Sequence, residues 1–118
     1  MPRIINADGN ICYYNEAGQL HREDGPARIY LSGSEFWHYN GELHREDGPS
    51  SIFSSGAEEW NLNGKYDRKD GPAWIHGRDI RWYQNGKIHR EDGPAWMLGD
   101  KKYWYLNGKD QTPQQWPP

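Results

Sequence analysis

A charged hexapeptide recurs along the chain and sets the repeat length of the whole sequence. His-Arg-Glu-Asp-Gly-Pro begins at His21, His44 and His89, and a degenerate copy begins at Asp67. The spacings between these starts are 23, 23 and 22 residues. Such a period is typical of stacked supersecondary units, in which no unit can bury its apolar face alone. The sequence therefore predicts a single repeat domain over residues 1–118.

Two turns are predicted in every unit. An aromatic residue stands seven residues before each copy of the motif, and a turn pair lies between them. Asn-Gly is the strongest short hairpin signal, because both central residues of a type I′ turn need positive φ. The aromatic residues are Tyr14, Trp37, Trp60, Trp82 and Trp104. The turn pairs are Ala17-Gly18, Asn40-Gly41, Asn63-Gly64, Asn85-Gly86 and Asn107-Gly108. The second turn is marked by Gly9, Gly33, Gly56, Gly77 and Gly99.

These signals favour an all-β fold. No helical apolar period survives the dense glycine and proline, so the segments between turns are expected to be short antiparallel strands. The predicted architecture is a series of tandem β-hairpin repeats forming an elongated antiparallel meander, with about five units of 22 or 23 residues. The predicted units are 5–27, 28–50, 51–73, 74–95 and 96–110, followed by a C-terminal cap or tail at 111–118.

Composition excludes several classes of function. The chain has 14 Lys and Arg against 17 Asp and Glu, so bulk nucleic-acid binding is unlikely on electrostatic grounds. The one cysteine, Cys12, cannot form an intramolecular disulfide, and a reducing cytoplasm is expected. No stretch approaches the roughly 20 apolar residues of a membrane helix, so no membrane insertion is predicted.

One segment of each unit resembles a known family. Trp82-Tyr83-Gln84-Asn85-Gly86-Lys87-Ile88-His89, with its counterparts at 37–44 and 60–66, resembles the MORN-type repeat. The resemblance spans roughly residues 9–110, but Arg-Glu-Asp-Gly-Pro stands where that family has a Gly-x-Gly step. This variant is similar to repeats in proteins of bacteriophages and large DNA viruses. The resemblance implies a β-hairpin scaffold without catalysis that binds partner proteins, with lipid headgroups proposed as ligands for some members.

The hexapeptide itself is predicted to be structural. A histidine beside carboxylates could serve in general acid–base catalysis, but a catalytic group works at one place with one set of supporting residues. Here the same neighbours recur, and Asp-Gly-Pro is typical of a turn. An arginine could also pair with an acidic residue of the next unit. No enzyme activity and no cofactor are therefore expected. The structural repeat residues are His21, Asp24, Gly25, Pro26, Trp37, Gly41, His44, Asp47, Trp60, Gly64, Asp70, Gly86, His89, Asp92 and Gly108.

A metal site is considered and rejected. Stacked loops would align Asp24, Asp47 and Asp92 into an oxygen-rich edge suited to Ca²⁺. Each loop also carries its own arginine, which opposes a cation, and no set of residues has zinc-ligand spacing. No metal is predicted.

The units differ most clearly just after Pro-Ala. Trp74 and Trp96 occupy the positions where earlier units carry Arg28 and Ser51. The two tryptophans either face inward as core or belong to a recognition surface with nearby cations, which is the usual chemistry of interface hot spots and of ligand stacking. The predicted surface comprises Trp74, Arg78, Arg81, Trp82, Tyr83, Trp96, Lys101 and Trp104.

The leading hypothesis is a repeat scaffold that binds a partner protein through this surface. A viral origin would make the partner a host factor, such as a bacterial defence complex, in the host cytoplasm. The alternative is a small-ligand binder that sequesters an anionic, nucleotide-type molecule. Either a monomer or a dimer is compatible with the sequence, because unpaired sheet edges invite pairing unless 1–7 and the C-terminal tail cover them.

Overall fold

The computed structural model describes residues 3–6 and 8–113 and contains only short β-strands over those ranges. Each strand has two or three residues, because a turn glycine or a proline recurs before a longer strand can form. The strands are β1 Arg3–Ile5, β2 Ile11–Tyr13, β3 Arg28–Ile29, β4 Glu35–Phe36, β5 His38–Tyr39, β6 Glu42–Leu43, β7 Ser51–Ile52, β8 Glu58–Glu59, β9 Asn61–Leu62, β10 Lys65–Tyr66, β11 Trp74–His76, β12 Asp79–Arg81, β13 Tyr83–Gln84, β14 Lys87–Ile88, β15 Trp96–Leu98, β16 Lys101–Tyr103, β17 Tyr105–Leu106 and β18 Lys109–Asp110.

Ten of these strands form one antiparallel meander. Their order is β1-β2-β3-β4-β7-β8-β11-β12-β15-β16, so every strand pairs with its neighbours in this series. The hairpins at the outer edge change shape along the array. In the second unit the Tyr30 N–H donates to the Ser34 carbonyl across a three-residue loop, whereas His76 pairs directly with Asp79 around two residues. The predicted all-β fold of tandem antiparallel hairpins is confirmed.

A second row of hairpins lies beside the meander, so each of the later units forms two hairpins, one in each row. These small hairpins are β5–β6, β9–β10, β13–β14 and β17–β18. Each turns at Asn-Gly, with φ between 48° and 51° at the asparagine. Neighbouring small hairpins are joined by backbone hydrogen bonds, such as Gly64 N–H to Leu43 O at 2.9 Å and Gly86 N–H to Tyr66 O at 2.8 Å.

In the first unit the aromatic column lies one residue earlier than the sequence predicts. Tyr13, rather than Tyr14, is equivalent to Trp37, because the Tyr13 N–H donates to the Ala27 carbonyl as the Trp37 N–H does to the Ser50 carbonyl. The assignment of Tyr14 to the aromatic column was therefore wrong. The first turn contains one extra residue, and its only positive φ is 79° at Gly18, so it is not an Asn-Gly type I′ turn.

The most buried positions are small residues at the junction of the two rows. Ala27, Ser50, Ala73 and Ala95 each follow a proline and are completely buried. The carbonyl of each accepts a hydrogen bond from the Tyr or Trp where the chain passes from the meander to the small hairpins. Larger side chains would separate the rows. The result is a thin, elongated molecule with extents of 56 × 25 × 19 Å.

Candidate functional site

One face of the meander carries an unbroken row of side chains. Residues directly opposite one another in a sheet point to the same side, as do residues two apart along a strand. Pairing places the following residues in one row, in this order: Arg28, Phe36, Ser51, Glu59, Trp74, Arg81, Trp96 and Tyr103. The exposed Leu98 and Lys101 lie on the same side at the end of the row. Four half-buried residues also lie on this side, two positions away from members of the row: Tyr30, Phe53, His76 and Asp79. We refer to the row together with these four residues as the aromatic face.

The rings of this face touch in sequence across the central strands. The ring centroids of Tyr30 and Phe36 are 5.4 Å apart, and those of Phe36 and Phe53 are 5.5 Å apart. Phe53 lies 5.3 Å from His76, which stacks on Trp74 at 4.0 Å with an interplanar angle of 29°. All five rings are half-buried. Contacts of this kind fix the rings while leaving part of each one open to solvent.

Arg81 is clamped between the two tryptophans that the sequence analysis singled out. Its guanidinium carbon lies 4.1 Å from the ring centroid of Trp74 and 4.8 Å from that of Trp96. Asp79 accepts two hydrogen bonds from Arg81, at 3.1 and 3.0 Å, and a third from the Trp96 indole N–H at 2.8 Å. Burial alone would raise the pKa of Asp79, but these hydrogen bonds outweigh it and the pKa is lowered. The clamp is therefore internally neutralised and rigid.

Glu59 holds the centre of the face. Its carboxylate lies 2.7 Å from His76 Nε2 and accepts a hydrogen bond from the Tyr66 hydroxyl at 3.2 Å. Burial and the charge of Glu59 raise the pKa of Tyr66, which keeps the phenol protonated as a donor. The Glu59 side chain is only 12% exposed, so its polar contacts are to His76 and Tyr66 more than to solvent.

The small hairpins form one side of the aromatic face. His38, Tyr66 and Tyr83 contribute to it, because their side chains contact Arg28, Glu59 and Arg81 respectively. The rings of Tyr66 and Tyr83 are themselves 5.0 Å apart. The face is thus bordered along its length by polar aromatic side chains from the second row.

The structure divides the predicted surface into three places. Trp74, Arg81, Tyr83 and Trp96 come together on or beside the aromatic face. Trp82 and Trp104 do not: the guanidinium of Arg90 lies 3.9 Å over the Trp82 ring, and Trp104 lines a separate cleft with Arg90 and Pro113. Arg78 is exposed at a hairpin tip, 3.5 Å from Asp100, and Lys101 is exposed on β16.

His76, Asp79, Glu59 and Arg28 also belong to this face, although the sequence did not predict them there. A signal for the first two was present. The two residues Gly77-Arg78 form a tight turn with positive φ at the glycine, which pairs His76 with Asp79 and Trp74 with Arg81. Glu59 required knowledge of which strand lies next to Trp74, and that pairing joins different units.

The arginine of each charged loop packs over an aromatic ring, with the same geometry in four units. These arginines are Arg22, Arg45, Arg68 and Arg90. Arg45 lies 3.8 Å over the Trp37 ring, donates to Asp47 at 3.0 Å and to the Pro49 carbonyl at 3.2 Å. Pairing with an acidic residue of the next unit was considered from the sequence. Each of these arginines instead pairs with the aspartate two residues later in its own loop. A Cβ on Gly48 would lie 2.9 Å from the guanidinium carbon of Arg45, so this glycine leaves room for the arginine.

The motif histidines join consecutive units. Nδ1 of His21, His44 and His89 accepts the backbone N–H of Asn40, Asn63 and Asn107 respectively, each at 2.9 Å. Since Nδ1 is the acceptor, the neutral ring carries its proton on Nε2, toward a glutamate 3.4 to 3.8 Å away. Nδ1 thus has the same partner in each of these repeats, and Nε2 of His89 also lies within hydrogen-bond distance of Glu91, at 3.4 Å. In the Asp67 loop a carboxylate replaces this ring.

Other kinds of site receive no support from the described ranges. Over residues 3–6 and 8–113 there is no group of three or more His, Cys, Asp or Glu side chains able to hold a metal ion. Cys12 is a free, buried thiol. A helix long and apolar enough to cross a membrane does not occur in the described part of the chain. Comparisons with protein-family models, with curated proteins and with solved structures gave no significant match.

Proposed function

We propose that this protein is a non-enzymatic scaffold that binds a partner protein along its aromatic face. The observation that carries this proposal is the continuous set of half-buried rings and cations on one side of the meander. Aromatic residues and arginine are enriched at the centres of protein interfaces, because they bury large areas and lose little conformational entropy.

The dimensions of the face favour a macromolecular partner. The row from Arg28 to Tyr103 crosses eight strands, and spacings of about 4.8 Å give it a length of roughly 34 Å. Small-molecule sites usually bury most of the ligand in a concave pocket. Here the rings lie side by side along a sheet, which matches the extended area of a protein interface of standard size.

The alternative, a binder of an anionic nucleotide-type molecule, has weaker support. Such a site needs uncompensated cations that converge with stacking rings. Arg81 lies between two rings, but Asp79 already neutralises it. Arg28 has no ion pair among the described residues, but it is a single cation and lies at the other end of the row. The protein-partner proposal therefore fits the centre of the face better.

The identity of the partner rests on the resemblance to repeats of phage and large-virus proteins. We extend the proposal on that basis to a host factor, such as a component of a bacterial defence complex, bound in the host cytoplasm. The MORN-like assignment is part of the same proposal. Its structural support is limited to the Asn-Gly hairpins and their stacking in register.

The test is loss of one identified partner on substitution of the face. We expect the protein purified from a host lysate to retain one host protein, which is then identified, purified separately and rebound in stoichiometric amount. The double substitution Trp74→Ala and Trp96→Ala should weaken that binding at least a hundredfold, since each hot-spot ring contributes about 2 kcal/mol or more. Leu31→Ala is the matched control, because Leu31 is 77% exposed and lies at a hairpin tip.

Circular dichroism and thermal unfolding show whether each variant is folded. A folded double variant that binds the partner as tightly as the unsubstituted protein would contradict the proposal. Native mass spectrometry that finds a bound small molecule, with no protein retained, would favour the alternative instead.

A further inference from the structure

Arg28 differs from the other partly buried arginines of the described chain in having no carboxylate partner. Arg22, Arg45, Arg68, Arg81 and Arg90 each form an ion pair with an aspartate two residues away. Arg28 instead donates from Nε to His38 Nε2 at 3.1 Å and from a terminal nitrogen to the Tyr30 hydroxyl at 3.0 Å. Over residues 3–6 and 8–113 no acidic side chain lies within ion-pair distance of it. A partly buried charge without a counterion is costly to the fold.

The surroundings of Arg28 hold its guanidinium in place without neutralising it. The guanidinium carbon lies 4.5 Å over the Phe36 ring and 5.8 Å from the centroid of Tyr30. Burial and the charge of Arg28 both lower the pKa of His38. A neutral His38 donates from Nδ1 to the Gly41 carbonyl at 3.3 Å and accepts from Arg28 at Nε2. The site therefore keeps a single positive charge at a fixed orientation.

The repeat itself does not require an arginine at this position. Equivalent positions carry Ser51, Trp74 and Trp96, and the strands pair in the same way around all of them. The Tyr30 position is likewise occupied by Phe53, His76 and Leu98 in the other units. The arginine and its hydroxyl partner are thus local additions to a fold that forms without them.

We propose that Arg28 is the anion-recognition point of the aromatic face and receives the carboxylate of an aspartate or glutamate side chain of the partner protein. This inference rests on the proposed function and adds the chemistry of the partner's contact residue. Two of the five guanidinium N–H groups are used within the protein. The remaining terminal N–H groups form a fork that matches the two oxygens of a carboxylate.

A protein carboxylate fits the surroundings of Arg28 better than a phosphoryl group does. A phosphate near pH 7 carries up to about two negative charges and usually meets several cations. Arg28 is the one partly buried cation on this side of the sheet without a carboxylate, in the part of the chain that the structure describes, since Arg81 is paired with Asp79 and Lys101 is exposed. One charge opposite one charge gives complementarity, and the adjacent Tyr30 and Phe36 rings would cover the pair from water.

The test measures anion binding directly and needs no partner protein. Uniformly ¹⁵N-labelled protein is titrated with the blocked peptide acetyl-Gly-Glu-Gly-amide, with its Gln counterpart, and with inorganic phosphate. The Arg28 Nε–Hε resonance and the His38 ring resonances report on the site. We expect a saturable shift with the Glu peptide, no saturable shift with the Gln peptide, and at least tenfold weaker binding of phosphate.

Two substitutions assign the shift to Arg28. Arg28→Gln should abolish the saturable response of the His38 resonances to the Glu peptide. Arg78→Gln is the matched control and should leave it unchanged, because Arg78 is exposed and lies beside Asp100. Arg28→Gln should unfold at the same temperature as the unsubstituted protein or higher, since it removes a charge without a counterion.

Three results would overturn the proposal. One is an equal response to the Glu and Gln peptides, a comparison that needs only the unsubstituted protein. Another is loss of the response in Arg78→Gln, and the third is phosphate binding as tight as that of the Glu peptide. Failure here is distinguishable from failure of the partner proposal, because Trp74→Ala with Trp96→Ala tests protein binding and leaves Arg28 intact.

Discussion

The glycine of each Asp-Gly-Pro turn is required for space rather than for backbone conformation. Gly48 does not have a positive φ, but a side chain there would meet the guanidinium of Arg45. That guanidinium cannot move without leaving Trp37, Asp47 and the Pro49 carbonyl. One residue type therefore allows a ring, a cation and a carboxylate to pack together in each loop.

Gly48→Ala should lower the free energy of unfolding by about 1 to 3 kcal/mol, through loss of a charged hydrogen bond and of the cation–π contact. The measurement is urea unfolding followed by tryptophan fluorescence. The matched comparison is the same substitution in an Arg45→Ala background, where there is no guanidinium to collide with and the cost should approach zero. Equal costs in both backgrounds would show that the glycine acts in some other way.

We expect the stability of the protein to depend on pH through His38, in the range below the ordinary histidine pKa. Burial and the charge of Arg28 lower the pKa of His38 in the folded protein below 6.5. The unfolded chain therefore binds more protons than the folded one below about pH 6.5, and stability falls as the pH falls through this range. Above about pH 6.5 His38 is neutral in both states, so it costs the folded protein no stability there.

The measurement is the difference in unfolding free energy between the unsubstituted protein and His38→Gln from pH 8 to pH 5. Glutamine can still accept the Arg28 hydrogen bond but does not titrate. We expect the difference to be constant above about pH 6.5 and to move in favour of His38→Gln below it. The lowered pKa of Asp79 acts at more acidic pH, below its ordinary value of 3.8, so it does not contribute in this range. A difference that stays constant down to pH 5 would contradict the assignment.

At the scale of single hairpins, the Asn-Gly turns fix the register of the second row. Asn63 has a φ of 50° and Gly64 a φ of 80°, the left-handed conformation that both residues of a type I′ turn adopt. Asn63→Ala should destabilise the protein by about 1 kcal/mol, because a Cβ without a polar group is unfavourable there. Asn63→Gly should be close to neutral. Both are measured by thermal unfolding, and equal stabilities of the two variants would contradict this origin of the effect.

The hairpins were predictable where a residue determines its own backbone, and less so where the structure depends on contacts between units. Asn40-Gly41 predicts its turn because few residue pairs tolerate positive φ twice. The Tyr14 assignment was wrong because the extra residue of the first turn shifts the aromatic column to Tyr13. The turns of the second row were predicted, but its separation from the meander was not, because its strands have two residues, too few for an alternating pattern to be recognised.

The candidate site was predictable in part for the same reason. Trp74 and Trp96 were recognised because they break the repeat. Residues that recur in every unit are explained by the fold, whereas residues that differ between units are not. Arg28 breaks the repeat equally, but its importance depends on the absence of an ion-pair partner within the described residues, which no sequence pattern states. Glu59 and His76 meet only because strands of neighbouring units pair.

At the scale of the whole molecule, both outer strands of the meander carry basic residues. β1 begins at Arg3 and β16 contains Lys101 and Lys102. Lysine on an edge strand opposes pairing with another chain, and pairing of β1 with β16 of a second copy would bring like charges together. The described residues therefore favour growth of the sheet by internal repetition over growth by association.

Internal repetition implies that stability is a sum of unit and neighbour terms, so one complete unit should be removable. Deletion of residues 51–73 joins Ser50 to Trp74 and reproduces the Pro-Ala-Trp pattern with serine in place of Ala73. The shortened chain should fold, with β-sheet circular dichroism retained. It should have lower stability and a smaller dependence of unfolding free energy on urea concentration, because less surface is exposed on unfolding.

The matched control removes only residues 51–62, which deletes both meander strands of that unit, β7 and β8, and the first strand of its small hairpin, β9. The remaining strands then meet with the wrong neighbours, and every inter-unit hydrogen bond from that point is displaced, so this chain should not fold. Unfolding of both deletions would show that the array behaves as one indivisible domain. A folded 51–73 deletion beside an unfolded control would instead locate cooperativity at the unit boundaries, where the Asn N–H to His Nδ1 and Gly N–H to carbonyl bonds join each unit to the next.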